Sequence, residues 1–383
     1  MRLNKGGFKM NKMVDENLVK YVNEVFEKLH VIPEIAFEEY KTSAFIASEL
    51  KTFGYEVTEK VNGPEGTGVI GVLDSGNPGV VFALRADMDA LEFEKNGEKY
   101  CVHACGHDAH SSMVLAAAKK IAETGIKSGK FYVVFQPAEE RLYGATSMIE
   151  SGKLNEIQEM VGIHLRPIQE AKLGQATPAL VHGASNRIDI SITGLNSHGA
   201  RPHLGVNAAE AAVVIINAIN SIKANPSVSH SIKVTGIKVG GDTFNLIPDK
   251  GTLTLDARAQ NNDVMEDMLS KLKLAVEFGA KSVGAEAKID FVGGVPAAEY
   301  TDELIELARE SIIEVLGDSL DILVTPGGED FHFYSKNLKI KTGYVGLGAD
   351  LTPGLHHPEM TFDKAALAKG VSILVDMTLK KLG

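Results

Sequence analysis

The sequence predicts an α/β protein, a mixed, largely parallel sheet flanked by helices, into which an α+β unit of antiparallel sheet plus two helices is inserted. Three observations carry that prediction. Helical and strand patterns alternate from residue 15 to 175, as in a chain of strand and helix crossovers. After about residue 183 the texture changes to strands of period two with two helices, the mark of an antiparallel sheet covered on one face. From about 296 the α/β character returns. The expected domains are therefore 1–182 with 296–383, discontinuous, and 183–295, inserted.

The elements follow in order. ENLVKYVNEVFEKLH reads as an amphipathic helix with Leu18, Val22, Val25, Phe26 and Leu29 on one face. TSAFIASELKTFG reads as a second helix, with Thr42 or Ser43 near its start and Gly54 at its close. PGVVFALRADMDA holds a short apolar strand that runs into Asp87 and Asp89, and SSMVLAAAKKIAETG is a helix stopped by Gly125. KFYVVFQPAEE is a buried strand that runs into Glu139 and Glu140, and MVGIHLRP is a third such run, ending at His164. Polar groups thus recur just after strand ends, the edge at which open α/β sheets bind ligands. The inserted unit is RIDISITG, the helix NAAEAAVVIINAINSIKA, HSIKVTGIKVGG, GTLTLDARA and the helix DVMEDMLSKLKLAVEFGA. DELIELARESIIEVLG, LDILVTPGGEDFHFY, TGYVGLG and AALAKGVSILVDMTLKKL then resume the first pattern.

Composition narrows the function. With 383 residues, 44% of them hydrophobic, the chain has apolar material for two cores. No apolar run approaches the roughly 20 residues of a membrane span. MRLNKGGFKMNKMVDEN has neither the apolar centre nor the cleavage site of a secretory signal, so the expected location is the cytoplasm. Met10 and Met13 are alternative starts, which leaves the first dozen residues out of the fold argument. A net charge of -11 is spread through mixed runs such as EEYK and KNGEK, without the basic stripe that phosphates demand. Nucleic acid and membrane are therefore not expected as partners. Two cysteines make no disulfide framework, and a reducing compartment leaves Cys105 available as a thiolate ligand.

CVHACGHDAH, residues 101–110, holds both cysteines and three of the twelve histidines. Cys105 and His107 stand two apart, so on an extended segment their side chains point the same way and meet one cation. Alone, Cys105 reads first as a small buried hydrophobe, with a redox pair with Cys101 as a further alternative. Three histidines and Asp108 nearby move the reading toward metal, with His103 and His110 as supporting groups. Glu139 and Glu140 follow a strand and cannot face the same way. One is suited to hold metal while the other stands over a substrate as general base; a solvated pair at a helix start is the plain alternative. His164 and the pair His356 and His357 are, each alone, ordinary loop histidines, and Pro358 sets the pair in an extended segment.

Taken together and in order, HACGHDAH, QPAEE, GIH, NSHGARPH, NLIP, GGEDF and LHHP resemble the motifs of the aminoacylase and carboxypeptidase G family of dinuclear metallohydrolases. HACGHD resembles the amidohydrolase branch, which includes hippurate hydrolases and auxin-conjugate hydrolases. The similarity runs from His30 to Asp363. It implies two divalent ions, Mn, Zn, Co or Ni, held by Cys105, His107, Glu140, His164 and His356, with Cys105 as the protein bridge. It implies Glu139 as the base that activates water and passes the proton to the leaving amine. His198 matches the histidine that reaches the site from the inserted lid, often from the partner subunit of a homodimer. Asn245 and Arg258 resemble positions that hold a substrate carboxylate, a task suited to a guanidinium fork. Asp89, Glu329 and Asp330 resemble groups that support the ligands from behind.

Two departures bear on the substrate. Glu92 stands where the branch commonly has a proline, in a shorter and more acidic segment, and Gly251 and Thr252 lead to Thr254 rather than to an arginine. The resemblance implies a metal-dependent amidohydrolase that cleaves N-acyl amino acids or small related amides. An aminopeptidase or dipeptidase is the alternative within the family. From another class, the alternative is a non-catalytic metal-binding or thiol-sensing protein, which has no use for Glu139.

Overall fold

The computed structural model describes residues 14–63, 65–325 and 327–383, so Met10 and Met13 lie outside the described residues. It divides into two compact units. The first comprises the described residues up to Val181 with Glu299–Val324 and Asp330–Gly383; the second comprises His182–Ala298 and Thr325–Glu329.

In the first unit a seven-stranded sheet runs in the order Glu56–Thr58, Val69–Asp74, Lys130–Gln136, Val81–Asp87, Glu159–Pro167, Lys341–Leu351, Ala176–Thr177. The four strands from Lys130–Gln136 to Lys341–Leu351 are mutually parallel, and antiparallel pairs close both edges. The sheet is thus mixed and largely parallel, as the alternating pattern implied. Successive residues of a strand face opposite sides. Phe82 and Leu84, Phe131 and Val133, Val161 and Ile163, and Val345 and Leu347 join one core with the helices Glu16–His30, His107–Thr124 and Ala365–Leu382. The other parity packs Ala83, Tyr132, Val134, Met160 and Tyr344 against Met148, Leu154 and Phe331. Arg85, Asp87, Gln136 and His164 share that second parity and are buried with it.

Helix Glu16–His30 forms where its apolar spacing requires it. Asp15 accepts the Leu18 N–H at 2.9 Å as its cap, and Leu18, Val22, Val25, Phe26 and Leu29 are buried, each such side chain contributing about 1.5–3 kcal/mol. Other boundaries differ from expectation. The next helix starts at Tyr40, not at Thr42 or Ser43, because the Glu34 carboxylate accepts the Lys41 and Thr42 N–H groups from outside the helix. The third starts at His107 rather than at Ser111. Its first turn is made of buried polar residues, which a count of apolar spacing does not register. Cys105 and His107 therefore do not share an extended segment: Gly106, at φ 83, turns the chain between them. His164 sits inside Glu159–Pro167, not at its end. The acidic segment around Glu92 is a hairpin of Leu91–Lys95 and Glu98–Val102. Asn96 and Gly97, both at positive φ, make its two-residue turn.

The second unit has a four-stranded antiparallel sheet in the order His230–Val239, Lys250–Ala259, Ala184–Thr193, Glu286–Val295. The last strand has no counterpart among the expected elements. Helices Ala208–Asn220 and Asn262–Ser282 cover one face, where Ile188, Ile190, Leu253 and Leu255 meet Ile215, Met268 and Leu272. Each helix is capped by an asparagine side chain, Asn207 and Asn261. No helix among the described residues is long and apolar enough to cross a membrane.

Candidate metal centre

Because four strands of the first unit run parallel, their C-terminal ends lie along one edge of the sheet, and the candidate residues gather there. Asp87 closes one strand, with Asp89 just beyond it, and Glu139–Arg141 form a 3-10 turn past Gln136. His164 lies within Glu159–Pro167, and His356 follows Lys341–Leu351.

The turn that carries the two glutamates is held by buried carboxylates. Asp89 accepts the N–H groups of Glu139 and Glu140 at 3.0 Å each, and its Oδ1 lies 3.2 Å from His107 Nδ1. Glu39, fully buried, accepts the N–H of Ala138 at 2.9 Å, the N–H of Phe37 at 3.0 Å and the hydroxyl of Thr67 at 2.6 Å. Burial pushes the Glu39 carboxyl up to about 7. Ala138 and Leu142 bracket the turn in the left-handed region, both at φ 55. Behind it, Arg85 reaches Asp87 at 2.7 Å, Gln136 at 2.9 Å and Asp330 at 3.0 Å. Asp330 also accepts the Ala145 N–H at 2.9 Å. Against its burial, His107, His110 and Arg85 hold Asp87 well below the ordinary carboxylate range.

The ring nitrogens sort the histidines. His110 is engaged on both sides, Nδ1 to Asp87 at 2.8 Å and Nε2 by the Leu165 N–H at 3.0 Å. His164 donates Nδ1–H to the Leu165 carbonyl at 2.6 Å, so its Nε2 lone pair faces outward, 3.6 Å from Cys105 Sγ. Burial, then His110 and Arg166, hold His164 well below its usual value, as a neutral imidazole. His356 Nε2 lies 3.2 Å from Glu140 Oε1, and its N–H donates to the Ala104 carbonyl at 2.7 Å. His356 stands at φ 62, a turn rather than the extended segment expected before Pro358. His357 is differently employed, its Nδ1 accepting the Glu359 N–H.

Ligand atoms of Cys105, His107 and His164, of Cys105, Glu140 and His356, and of His107, Glu139 and Glu140 lie within 4.8 Å of one another in each group. Two observations fit this set to divalent cations. His107 Nε2 is buried without a hydrogen-bond partner, an expense that coordination removes. Burial also pushes the Cys105 thiol up to about 12, so only a strong local positive charge makes it a thiolate at neutral pH. The mixed thiolate, imidazole and carboxylate donors suit Zn, Mn, Co or Ni alike.

The remaining candidates belong to the second unit. His198 pairs with Leu246, and the Gly199 N–H donates to the Asn245 carbonyl at 2.7 Å, so two of them are neighbours. Nδ1 of His198 accepts the Ala200 N–H at 3.1 Å; in the neutral ring the proton is then on Nε2, on the exposed side. Arg258 lies on the sheet face opposite the helices and pairs with Asp256 at 3.0 Å. Glu329 is buried. Glu39, Arg85 and Gln136 are absent from the expected site. Arg85 had a signal, a charge inside the apolar strand VFALRAD, which must find a partner to be buried. Glu39 had none, since FEEYK reads as a solvated helix start.

The chain is similar to known proteins over nearly its whole length. The model of "Peptidase family M20/M25/M40" matches residues 83–380. A hippurate hydrolase from Campylobacter jejuni is 31% identical over 374 residues, 94% of this chain and 96% of that protein. An N-acetyl-L-cysteine deacetylase from Bacillus subtilis is 31% identical over 377 residues, 95% of this chain and 89% of that protein. Among solved structures, the Bacillus subtilis YXEP protein, described as a dinuclear metal binding peptidase, matches with a TM-score of 0.79 at 25% identity. That alignment covers 96% of this chain and 100% of that one.

Proposed function

Because the chain belongs to the M20/M25/M40 peptidase family, we propose that it is a metal-dependent amidohydrolase that cleaves the amide bond of N-acyl amino acids with an activated water. Relatives that act on hippurate and on N-acetyl-L-cysteine support that substrate class. Cys105, His107, Glu140, His164 and His356 would hold two divalent cations, which when bound supply Lewis acidity to the carbonyl and acidify a water molecule. The observation that carries the reading is the placement of Glu139: buried, fixed through its N–H by Asp89, with Oε2 3.9 Å from His107 Nε2.

In that reading the residues divide the work. Glu139 takes the proton of the attacking water and returns it to the leaving amine nitrogen. Asp89 aims Glu139, Glu140 and His107 at once. Asp330 and Glu329 back the site. His198, whose outward proton is on Nε2, donates to the carbonyl oxygen as charge develops there, from its own chain or across a homodimer made by the inserted domain 183–295. Asn245, beside His198, contacts the substrate's far end. A reducing compartment such as the cytoplasm keeps Cys105 competent as a ligand.

The test is metal-depleted protein reloaded with each ion and assayed on a panel of N-acyl amino acids and dipeptides, in parallel with Glu139→Gln. Glu139→Gln should lower kcat roughly 10²–10⁴-fold with metal content unchanged by elemental analysis. Metal lost while activity persists would refute the assignment. Turnover confined to free dipeptides would move the enzyme to the aminopeptidase or dipeptidase class.

A further inference from the structure

The arginines of this chain are unequally occupied. Arg85 pairs with Asp87 and Asp330, Arg166 with Glu170, Arg187 with Asp189, Arg258 with Asp256 and Arg309 with Glu306. Two others, Arg141 and Arg201, are exposed and meet no carboxylate among the described residues. Arg141 directly follows Glu140 in the 3-10 turn of the first unit; Arg201 follows His198 in the second.

The backbone of Arg141 is held in the turn that carries the base. Its N–H donates to the Ala138 carbonyl at 3.3 Å, and the Leu142 N–H donates to the Glu139 carbonyl at 2.7 Å. The backbone of Arg141 is therefore fixed relative to the base and to the ligand Glu140, and only its side chain is free to move. Of its exposed neighbours, Tyr143 is occupied, its ring against Phe37 and its hydroxyl on Glu150 at 3.2 Å. In an N-acyl amino acid a single carbon separates the carboxylate from the scissile nitrogen. A base that reaches that nitrogen thus has the carboxylate within a side-chain length of itself. The turn is otherwise acidic, with Glu139, Glu140 and Asp89 together, and a substrate anion needs a fixed cation beside it. A guanidinium meets a carboxylate with two parallel N–H bonds.

We propose that Arg141 anchors the substrate's carboxylate and makes the enzyme choose N-acyl amino acids over uncharged amides. This takes over the task that the family resemblance assigned to Arg258, whose guanidinium is already paired. It rests on the amidohydrolase reading above.

The experiment compares metal-loaded wild type, Arg141→Ala, Arg141→Lys and Arg201→Ala on N-acetyl-L-methionine and on its primary amide, N-acetyl-L-methioninamide. Arg141→Ala should raise KM for the acid at least roughly tenfold while kcat falls far less, and should change kcat/KM for the amide by less than about twofold. Arg141→Lys should be intermediate, and Arg201→Ala should keep the wild-type preference. In the inactive Glu139→Gln background, calorimetric binding of N-acetyl-L-methionine should weaken by a similar factor when Arg141→Ala is added. Equal losses on acid and amide, or a loss of preference in Arg201→Ala instead, would overturn the proposal. Wild-type protein inactive on both substrates would instead sink the amidohydrolase reading beneath it.

Discussion

Glu39 shows how a single buried side chain is coupled to the site. It touches no candidate ligand, yet it accepts the N–H of Ala138, the residue whose left-handed backbone aims Glu139. Its carboxyl is raised by burial from 4.5 to about 7. A raised acid keeps its proton in the fold at pH values where the unfolded chain has lost it. Between about 4.5 and 7 the folded state therefore binds more protons, and stability falls as pH rises. Glu39→Gln removes that titration, and its amide oxygen still serves the two backbone N–H groups. The melting temperature of Glu39→Gln should fall less than that of wild type across this window, a relative gain of at most about 3 kcal/mol by pH 8. Parallel curves from pH 4.5 to 8 would show that Glu39 is not the titrating group. Asp89 and Arg85 make the same point without titration: each binds several groups that lie far apart in sequence.

At the scale of elements, the decisive piece is the short turn between the strand Lys130–Gln136 and the helix Gly144–Glu150. It packs a base, a proposed ligand and an unpaired arginine into three residues, and it closes against its own backbone. A Cβ at Gly144 would sit 1.8 Å from the Pro137 carbonyl oxygen, so no side chain fits without moving the turn. Gly144→Ala should destabilise by about 1–3 kcal/mol and lower kcat more than it raises KM, since the displaced group is the base. Thermal melting and steady-state kinetics read both quantities. Wild-type kinetics in a folded Gly144→Ala protein would mean that the turn does not set the base. The same scale is where sequence patterns failed. Apolar spacing found the helix Glu16–His30 but dated the helix His107–Thr124 from Ser111, because His107, Asp108 and His110 are polar and buried at once. The pair Asn96 and Gly97 announced a hairpin that a reading focused on charge passed over.

At the scale of the molecule, all five proposed ligands and the base lie in the first unit, while His198, Asn245 and Arg258 lie in the second. Cation binding should therefore stabilise the first unit. Free metal at about 100 times its Kd adds about 2.7 kcal/mol, read by calorimetry as a rise of several degrees over chelator-treated protein. An unchanged trace with every ion tested would exclude a metal centre built from these residues. The sequence by itself determined the two textures of the chain, the largely parallel sheet, and most of the candidate ligands that the structure brings together. Those follow from local spacing and from side-chain chemistry, which are written in the order of residues. Only the tertiary structure decided which nitrogen of each histidine is available, that His356 rather than His357 meets Glu140, and that Glu39 and Arg85 belong to the site's support. For His110, His356, Glu39 and Arg85 the deciding contact closes between segments distant in sequence, and such a contact exists only after the chain has folded those segments together.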